Sequence, residues 1–252
     1  VTLGPLIGLV LMAACHQGFD PKVYASNPEA LFAASLKRFN SRHYDDASMG
    51  FEQLTHDLPA RDALLPLSYY YLGLSQEKQG NNLLAAQSLT RISDAFPDDS
   101  LAPTALYQGG VAYSKMWRNP ELDPTYGTSA LNTFQSLVSL YPDSHLVPQA
   151  NTQIAQLDNM FATKDLVVGE HYLRRKAYDS SIIYLKDVIK LHPTTPAART
   201  AYFKLLDAYR AIKYTADAAD LCTAALKTYP NDQEVRKQCD SASSAAASTH
   251  PT

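Results

Sequence analysis

The chain has no excess of basic charge. Its 252 residues include 22 Lys and Arg against 25 Asp and Glu, which gives a formal net charge of −3 at pH 7. Proteins that bind nucleic acid need a basic face, because they must neutralise phosphates. The sequence therefore predicts no nucleic-acid partner. With 46% hydrophobic and 19% charged residues, its composition is that of an ordinary foldable protein.

Catalytic and cofactor-binding motifs are also missing. The sequence contains no HExxH, CxxC, GxSxG, GxGxxG or Walker-type loop. The paired carboxylates at 45–46 and 98–99 each lie at a turn that leads into a helix, where Asp caps free N–H groups. A hydrolase that uses Cys222 or a histidine has no supporting spacing. We therefore expect a protein that is not an enzyme and that binds no cofactor or metal.

Residues 1–14 lack any charged side chain. This apolar stretch is too short to span a bilayer as a stop-transfer helix, but it suits the hydrophobic region of an export signal. It ends with two alanines before Cys15, and a lipoprotein signal peptidase requires small residues at that place. We interpret residues 1–14 as a lipoprotein signal peptide. The alternative is a buried N-terminal segment with a chance cysteine.

Lipidation of Cys15 would make residues 15–27 a tether to a membrane. The acyl chains contribute about 0.8 kcal/mol per buried CH₂, so a multiply acylated N-terminus anchors stably. His16, rather than Asp, follows the cysteine. We therefore predict a lipid anchor in the outer membrane, with the rest of the chain facing the periplasm.

The stretch from Pro66 to Pro97 has the residue order of a helical hairpin. Large residues, a small residue, a turn glycine, a second small residue and a terminating proline follow one another as Tyr69, Leu72, Gly73, Gly80, Ala85 and Pro97. Large residues fill the space between two helices, small ones let the backbones approach, and proline ends the second helix. One such hairpin cannot bury its own apolar face, so the stretch predicts neighbours of the same kind.

Four further copies keep the same register. The terminating prolines of the five copies are Pro59, Pro97, Pro142, Pro193 and Pro230. The first copy begins at Pro28 with Asn27 as N-cap, and Arg42 replaces its turn glycine. In the third copy a loop within residues 117–127 is inserted between the helices. Before the fourth copy, apolar residues at helical spacing predict one long helix from about residue 148 to 174.

This array resembles tetratricopeptide repeats. We predict an all-α fold, a superhelical solenoid of five such hairpins with a C-terminal capping helix from Gln233 to about Ser241. Residues 28–146 would hold repeats one to three, and residues 147–241 the long helix, repeats four and five and the cap. The low-complexity segment 242–252 is expected to be disordered.

An apolar stripe is expected along the concave side of the first three repeats. In this type of repeat, fixed positions of the first helix face that side, and here they include Phe32, Leu36, Phe39, Tyr70, Leu74, Tyr107 and Val111. An exposed apolar groove usually takes a partner peptide. The alternative is that the tether or a tight superhelix covers the stripe.

Cys222 and Cys239 flank a predicted turn at residues 229–232. A helical hairpin about that turn brings the two cysteines to similar heights, so they could form a disulfide in the oxidising periplasm if their Cα atoms come within about 7 Å. The alternative is that Cys222 is only a small core residue of its repeat. The sequence favours neither.

The order of the insertions along the chain indicates a more specific family among repeat proteins. The lipoprotein signal, five repeats, the loop in repeat three and the long helix before repeat four resemble the BamD family of outer-membrane β-barrel assembly lipoproteins over about residues 12–232. Segments 130–150 and 172–193 are the most similar. The alternative is a repeat lipoprotein that acts as a pilus-secretin pilot or a Tol-associated periplasmic scaffold, which should lack the long helix.

The resemblance implies a non-catalytic role with protein partners. In this family the N-terminal repeats are thought to receive the C-terminal targeting segment of unfolded outer-membrane β-barrel proteins. The C-terminal repeats dock on the periplasmic POTRA part of BamA, and other lipoproteins of the machinery join the complex. By the same resemblance, Arg174 and Tyr184 of this chain would carry partner docking.

Overall fold

The computed structural model describes residues 18–247. Within this range the chain forms eleven α-helices, preceded by a short 3-10 turn at Pro21–Tyr24, and it has no strand. The helices are α1 (Pro28–Asn40), α2 (Tyr44–Asp57), α3 (Leu65–Lys78), α4 (Asn82–Ala95), α5 (Ala102–Ser114), α6 (Thr125–Leu140), α7 (Val147–Arg174), α8 (Tyr178–Leu191), α9 (Pro196–Ala211), α10 (Thr215–Thr228) and α11 (Gln233–Ala247).

Consecutive helices pack on one another throughout the described part of the chain. The five hairpins are α1–α2, α3–α4, α5–α6, the second half of α7 with α8, and α9–α10, and α11 packs on α10 after the last of them. Each hairpin also contacts the next, as α2 does α3 and α4 does α5. The predicted all-α solenoid of five hairpins with a capping helix is confirmed.

Small residues let the two helices of a hairpin approach closely. A Cβ added at Gly73 would lie 2.6 Å from Leu89, and one at Gly110 would lie 2.7 Å from Phe134. Gly169 meets Leu185 in the same way in the fourth hairpin. Glycine in the first helix therefore makes room for a large residue of the second, as the repeat pattern requires.

Each terminating proline lies two residues beyond the last residue of a helix. For example, α4 ends at Ala95 before Pro97, and α10 ends at Thr228 before Pro230. Proline cannot donate the next helical hydrogen bond, and it disfavours helical backbone at the residue before it. The five helix ends predicted from proline are all confirmed.

The turn inside four of the hairpins uses left-handed backbone at one equivalent position. Gly80 has φ 83°, and Arg42, Lys176 and Lys213 have φ between 60° and 63°. After each of them a backbone N–H closes the helix end, as Asn81 N does on Gln76 O at 2.9 Å. The first repeat thus keeps the glycine conformation at Arg42, although it lacks the glycine.

The long helix predicted before repeat four is present as α7, which has 28 residues. The inserted loop before it occupies residues 115–124, and Thr125–Gly127, predicted in the loop, form the first turn of α6. Trp117 in this loop is buried, and its ring lies 4.6 Å from that of Phe161 in α7. The loop therefore joins the third repeat to the long helix.

The capping helix is longer than predicted. The helix α11 runs to Ala247, so the expected disorder is wrong for residues 242–247. These residues are alanine and serine, and alanine has the highest intrinsic helix propensity. A low-complexity composition can therefore extend a helix that begins in a packed segment. Residues 248–252 lie outside the described residues.

Candidate peptide groove and docking surfaces

The predicted groove residues lie on the first helices of repeats one, two and three. All seven side chains are partly buried, so none is fully buried and none is fully exposed. They are Phe32, Leu36, Phe39, Tyr70, Leu74, Tyr107 and Val111. They belong to α1, α3 and α5, the first helices of three successive hairpins.

Ring contacts account for much of this partial burial. Phe32 and Phe39 of α1 both contact Tyr71 of α3 edge to face, with ring centroids 6.1 and 5.4 Å apart. The ring of Tyr70 lies 5.7 Å from that of its neighbour Tyr71, again edge to face. Edge-to-face pairs are stabilising beyond the area they bury. The first two repeats are thus held together by the same rings that border the stripe.

Tyr70 lies in an environment that disfavours its charged form. Burial raises the pKa of its hydroxyl, and the nearby Tyr71 and Glu77 raise it further. The hydroxyl therefore stays protonated at neutral pH, where it is both donor and acceptor. A side chain of this kind can contact an apolar residue with its ring and a peptide backbone with its oxygen.

An ion pair crosses from the second to the third repeat beside the stripe. Lys115 Nζ donates to Glu77 Oε1, and the Glu77 side chain is only 14% exposed. The ion pair thus links the second repeat to the third next to Tyr70.

The tether packs on the first hairpin at a different place. Phe19 lies against Gly50 of α2, and the guanidinium of Arg38 lies 5.4 Å above its ring. Phe32 and Phe39 instead turn towards α3, where they contact Tyr71. The described contacts of Phe19 thus fall on the α1–α2 contact rather than on the rings of the stripe.

The two predicted docking residues lie at the fourth repeat. Arg174 is the exposed last residue of α7. Tyr184 in α8 is 36% exposed, and its ring stacks on Tyr172 of α7 at 5.6 Å. Ile183 beside it is 61% exposed. The stack holds Tyr184 near the end of α7, so both residues belong to one hairpin that is separate from the groove.

The structure joins Cys222 of α10 to Cys239 of α11 by a disulfide, with Cα atoms 5.4 Å apart. Arg199 of α9 holds the start of α11, because its Nε donates to Asp232 Oδ2 at 2.6 Å. That hydrogen bond is the largest of the effects that lower the pKa of Asp232 to about 2. The capping helix is thus fastened at two points.

Sequence reasoning missed the polar link between α7 and α8. His192 Nδ1 lies 2.6 Å from Asp158 Oδ1. Nearby, burial raises the pKa of Asp165, while His192 acts in the opposite direction. An antiparallel pairing of α7 with α8 places the end of α8 beside the middle of α7, so the predicted hairpin could have indicated this contact. The two residues taken singly do not indicate it.

Within residues 18–247, no group of three His, Cys, Asp or Glu side chains is arranged to hold a metal ion. No helix in the same range is both long and apolar enough to cross a bilayer. Cys15 and the predicted signal peptide lie outside the described residues.

A family model described as outer membrane lipoprotein matches residues 24–225. The chain belongs to this YfiO family. Relatives named outer membrane protein assembly factor BamD come from Caulobacter vibrioides, 25% identical and covering 84% of this chain and 72% of the relative, and from Vibrio cholerae, 26% identical and covering 85% and 92%. The predicted family resemblance is confirmed.

A solved structure of a tetratricopeptide-repeat protein from Bacteroides fragilis is similar to this YfiO-family chain. It is 13% identical, with a TM-score of 0.50, and the match covers 87% of this chain and 99% of the other. At this identity the likeness concerns the fold alone. It agrees with the hairpin array described above.

Proposed function

We propose that this YfiO-family chain is a periplasm-facing scaffold of the outer-membrane β-barrel assembly machinery. The relatives from Caulobacter vibrioides and Vibrio cholerae are named outer membrane protein assembly factors. In the proposal, repeats one to three bind unfolded outer-membrane proteins and repeats four and five dock on BamA. The chain acts by holding its partners close together, and no bond is made or broken by it.

The half-buried aromatic stripe carries the client-binding part of the proposal. A targeting segment in extended conformation places alternate side chains on one face, and an aromatic side chain there needs an apolar recess. Tyr70 and Leu74 on α3, and Tyr107 and Val111 on α5, offer partly exposed apolar surface. Binding completes the burial of rings that are already ordered by their neighbours, so little side-chain entropy is lost.

The fourth repeat supplies the docking part. Tyr184 and Ile183 expose apolar surface on α8, and Arg174 exposes a cation at the end of α7 in the same hairpin. Tyrosine and arginine are enriched among the residues that contribute most to protein interfaces. The stack of Tyr184 on Tyr172 fixes the ring before binding. A partner domain would therefore meet an ordered surface rather than a flexible one.

Membrane attachment completes the proposal. Cys15 would carry the acyl chains that hold the protein at the inner leaflet of the outer membrane. Mass spectrometry of the mature N-terminus tests this: the expected result is an acylated Cys15 as first residue. An unmodified Cys15, or a chain that still begins upstream of it, contradicts the anchor.

Site-specific photo-crosslinking in cells tests the partners. A photoreactive residue in place of Tyr70 should capture nascent barrel proteins, and one in place of Tyr184 should capture BamA. Leu84 is the matched control, because it is 49% exposed on α4 and belongs to neither surface. Capture of pilus-secretin or Tol components from Tyr70 or Tyr184 would contradict the proposal and favour that other class of scaffold.

A further inference from the structure

The tether is docked on the first hairpin over most of its described length. Phe19 approaches the Cβ position of Gly50 to 3.1 Å, and the Arg38 guanidinium lies 5.4 Å above its ring. Phe19 and Tyr24 both pack against the apolar cluster of the first repeat. Phe19 is therefore held by α1 and α2.

Hydrogen bonds continue this order up to α1. Asp20 caps the turn Pro21–Tyr24 by accepting from Lys22 N at 3.0 Å. Tyr24 O accepts from Asn27 N at 2.8 Å, and Asn27 caps α1 by accepting from Ala30 N at 2.9 Å. The segment from Phe19 to α1 is thus part of the folded array.

Docking of Phe19 leaves few residues between the folded array and the proposed anchor. Residues 16–18 alone separate Cys15 from Phe19, and four fully extended steps reach about 14 Å. An undocked tether from Cys15 to Pro28 would reach about 45 Å. The docked tether therefore restricts the first hairpin to the immediate vicinity of the acylated residue.

The end of the array beside the tether exposes apolar side chains. Val23 is 76% exposed, the largest value among the exposed large hydrophobic residues, and Met49 of α2 is 45% exposed. An open cleft of about 310 Å³ lies between the turn and α2, and Asp20, Pro21, Lys22, Met49, Glu52, Gln53 and His56 line it. Among residues 18–247, no further hairpin packs on this end of the array, because α1 and α2 form the first hairpin.

We propose that this end, formed by the turn Pro21–Tyr24 and the outer side of α2, faces the membrane, with Val23 in contact with the phospholipid headgroup layer. The proposal rests on the lipidation of Cys15 that is part of the proposed function. The occupant is a lipid surface because three residues between Cys15 and Phe19 are too few to place a folded domain between the anchor and this end of the array.

The charge of this end indicates that the lipid anchor and the exposed surface play different roles in membrane binding. Lys22 is accompanied by the carboxylates of Asp20 and Glu52, so there is no basic cluster to attract anionic lipid. The acyl chains supply the affinity, and the docked tether supplies the orientation. A chain without acyl groups should not bind vesicles, whereas the acylated chain should lie in one orientation.

Fluorescence quenching by brominated lipid tests the orientation. The acylated full chain with Val23→Trp is reconstituted on vesicles of phosphatidylethanolamine and phosphatidylglycerol that contain brominated phosphatidylcholine. The native Trp117 is only 1% exposed and gives the unquenched reference. The matched control is Leu191→Trp, because Leu191 is 60% exposed in the fourth repeat. We expect brominated lipid to remove the added emission of V23W and to leave that of L191W.

A flexible Gly-Ser segment inserted between Gly18 and Phe19 should abolish the quenching of V23W, because it frees the array without disturbing the docked tether. Unquenched V23W on a chain whose Cys15 is acylated, or equal quenching of V23W and L191W, overturns the inference. In those outcomes the anchor and the crosslinks at Tyr70 and Tyr184 still stand. An unacylated Cys15, read by mass spectrometry of the same sample, instead refutes the anchor itself.

Discussion

At the scale of single residues, the turn position of the hairpins carries backbone strain. Arg42, Lys176 and Lys213 adopt left-handed backbone that only Gly80 adopts freely. The left-handed conformation costs an L-residue about 1–2 kcal/mol, because its Cβ approaches the following carbonyl oxygen. Packing of the two helices on either side of the turn offsets that cost. The three charged residues thus occupy a place where glycine is the relaxed choice.

Replacement of the exposed Lys213 by glycine should therefore stabilise the protein. We expect Lys213→Gly to raise the free energy of unfolding by about 1 kcal/mol, measured by urea denaturation. Gly80→Ala is the converse variant, and it should lower that free energy by a similar amount. A loss of stability in Lys213→Gly would show that the lysine side chain contributes more than its backbone costs.

Asp232 should titrate far below an ordinary carboxyl group. Its hydrogen bond with Arg199, together with the N–H groups of Val235 and Glu234, lowers its pKa from 3.8 to about 2. Because the folded-state pKa is depressed, the stabilisation is complete above pH 3.8 and is lost as pH falls through 2. NMR titration of the carboxyl carbon should find this low midpoint. In Arg199→Met the midpoint should return towards 3.8, and an unchanged midpoint would contradict the assignment.

At the scale of elements, the inserted loop and the long helix form one unit. Trp117 fills the space between Gly127 of α6 and Phe161 of α7, and Lys164 Nζ donates to Leu122 O at 3.0 Å. The loop is therefore packed against α6 and α7. It adds to the contact that α6 itself makes with α7.

A methyl group at Gly127 should break this contact. An added Cβ would lie 2.0 Å from the Trp117 ring, so Gly127→Ala forces the ring to move. We expect a loss of about 1–3 kcal/mol in the free energy of unfolding and a red shift of tryptophan emission. Gly18→Ala is the control, since nothing lies within 4 Å of its Cβ position. Unshifted emission in Gly127→Ala would mean that the ring does not rest there.

The elements were predictable where one residue type has one physical role. Proline ends a helix through its missing N–H, so the five helix ends followed from the sequence. The role of Trp117 did not follow, because its partners Gly127 and Phe161 come from two other elements. The length of α11 did not follow either, because low-complexity composition indicates disorder, whereas alanine favours a helix.

The candidate site also has features that the sequence predicts and features that it does not. The repeat register placed the groove residues on α1, α3 and α5, since position within a helix depends on local sequence alone. The ion pair of Glu77 with Lys115 joins two repeats, so it depends on how far one hairpin is rotated against the next. That rotation is set by packing between repeats, and the sequence pattern does not contain it.

At the scale of the whole molecule, each hairpin contacts mainly its neighbours. The stability of such an array is close to a sum of local terms, so a change at one end should remain local. The C-terminal end has the disulfide between Cys222 and Cys239, which closes a loop with a sequence separation of 17. A loop of this length contributes about 3 kcal/mol through restriction of the unfolded chain.

Removal of both cysteines should therefore loosen the cap and spare the groove. In the double variant C222A/C239A we expect amide exchange to accelerate in α11 and in the adjoining part of α10. Exchange in α1 to α4 should stay as in the wild type. Acceleration of similar size in all eleven helices would show that the molecule unfolds as one cooperative unit.

The fifth hairpin reverses the sizes of the two residues that meet inside the other hairpins. Leu206 stands where repeats two to four have glycine, and Cys222 stands where they have leucine or phenylalanine. Both line the same small internal space under α11. The small Cys222 leaves room for the large Leu206 and lets its sulfur reach the capping helix. The fifth hairpin is thus matched to the helix that follows it, and a copy of it elsewhere in the array would leave its Cys222 without Cys239.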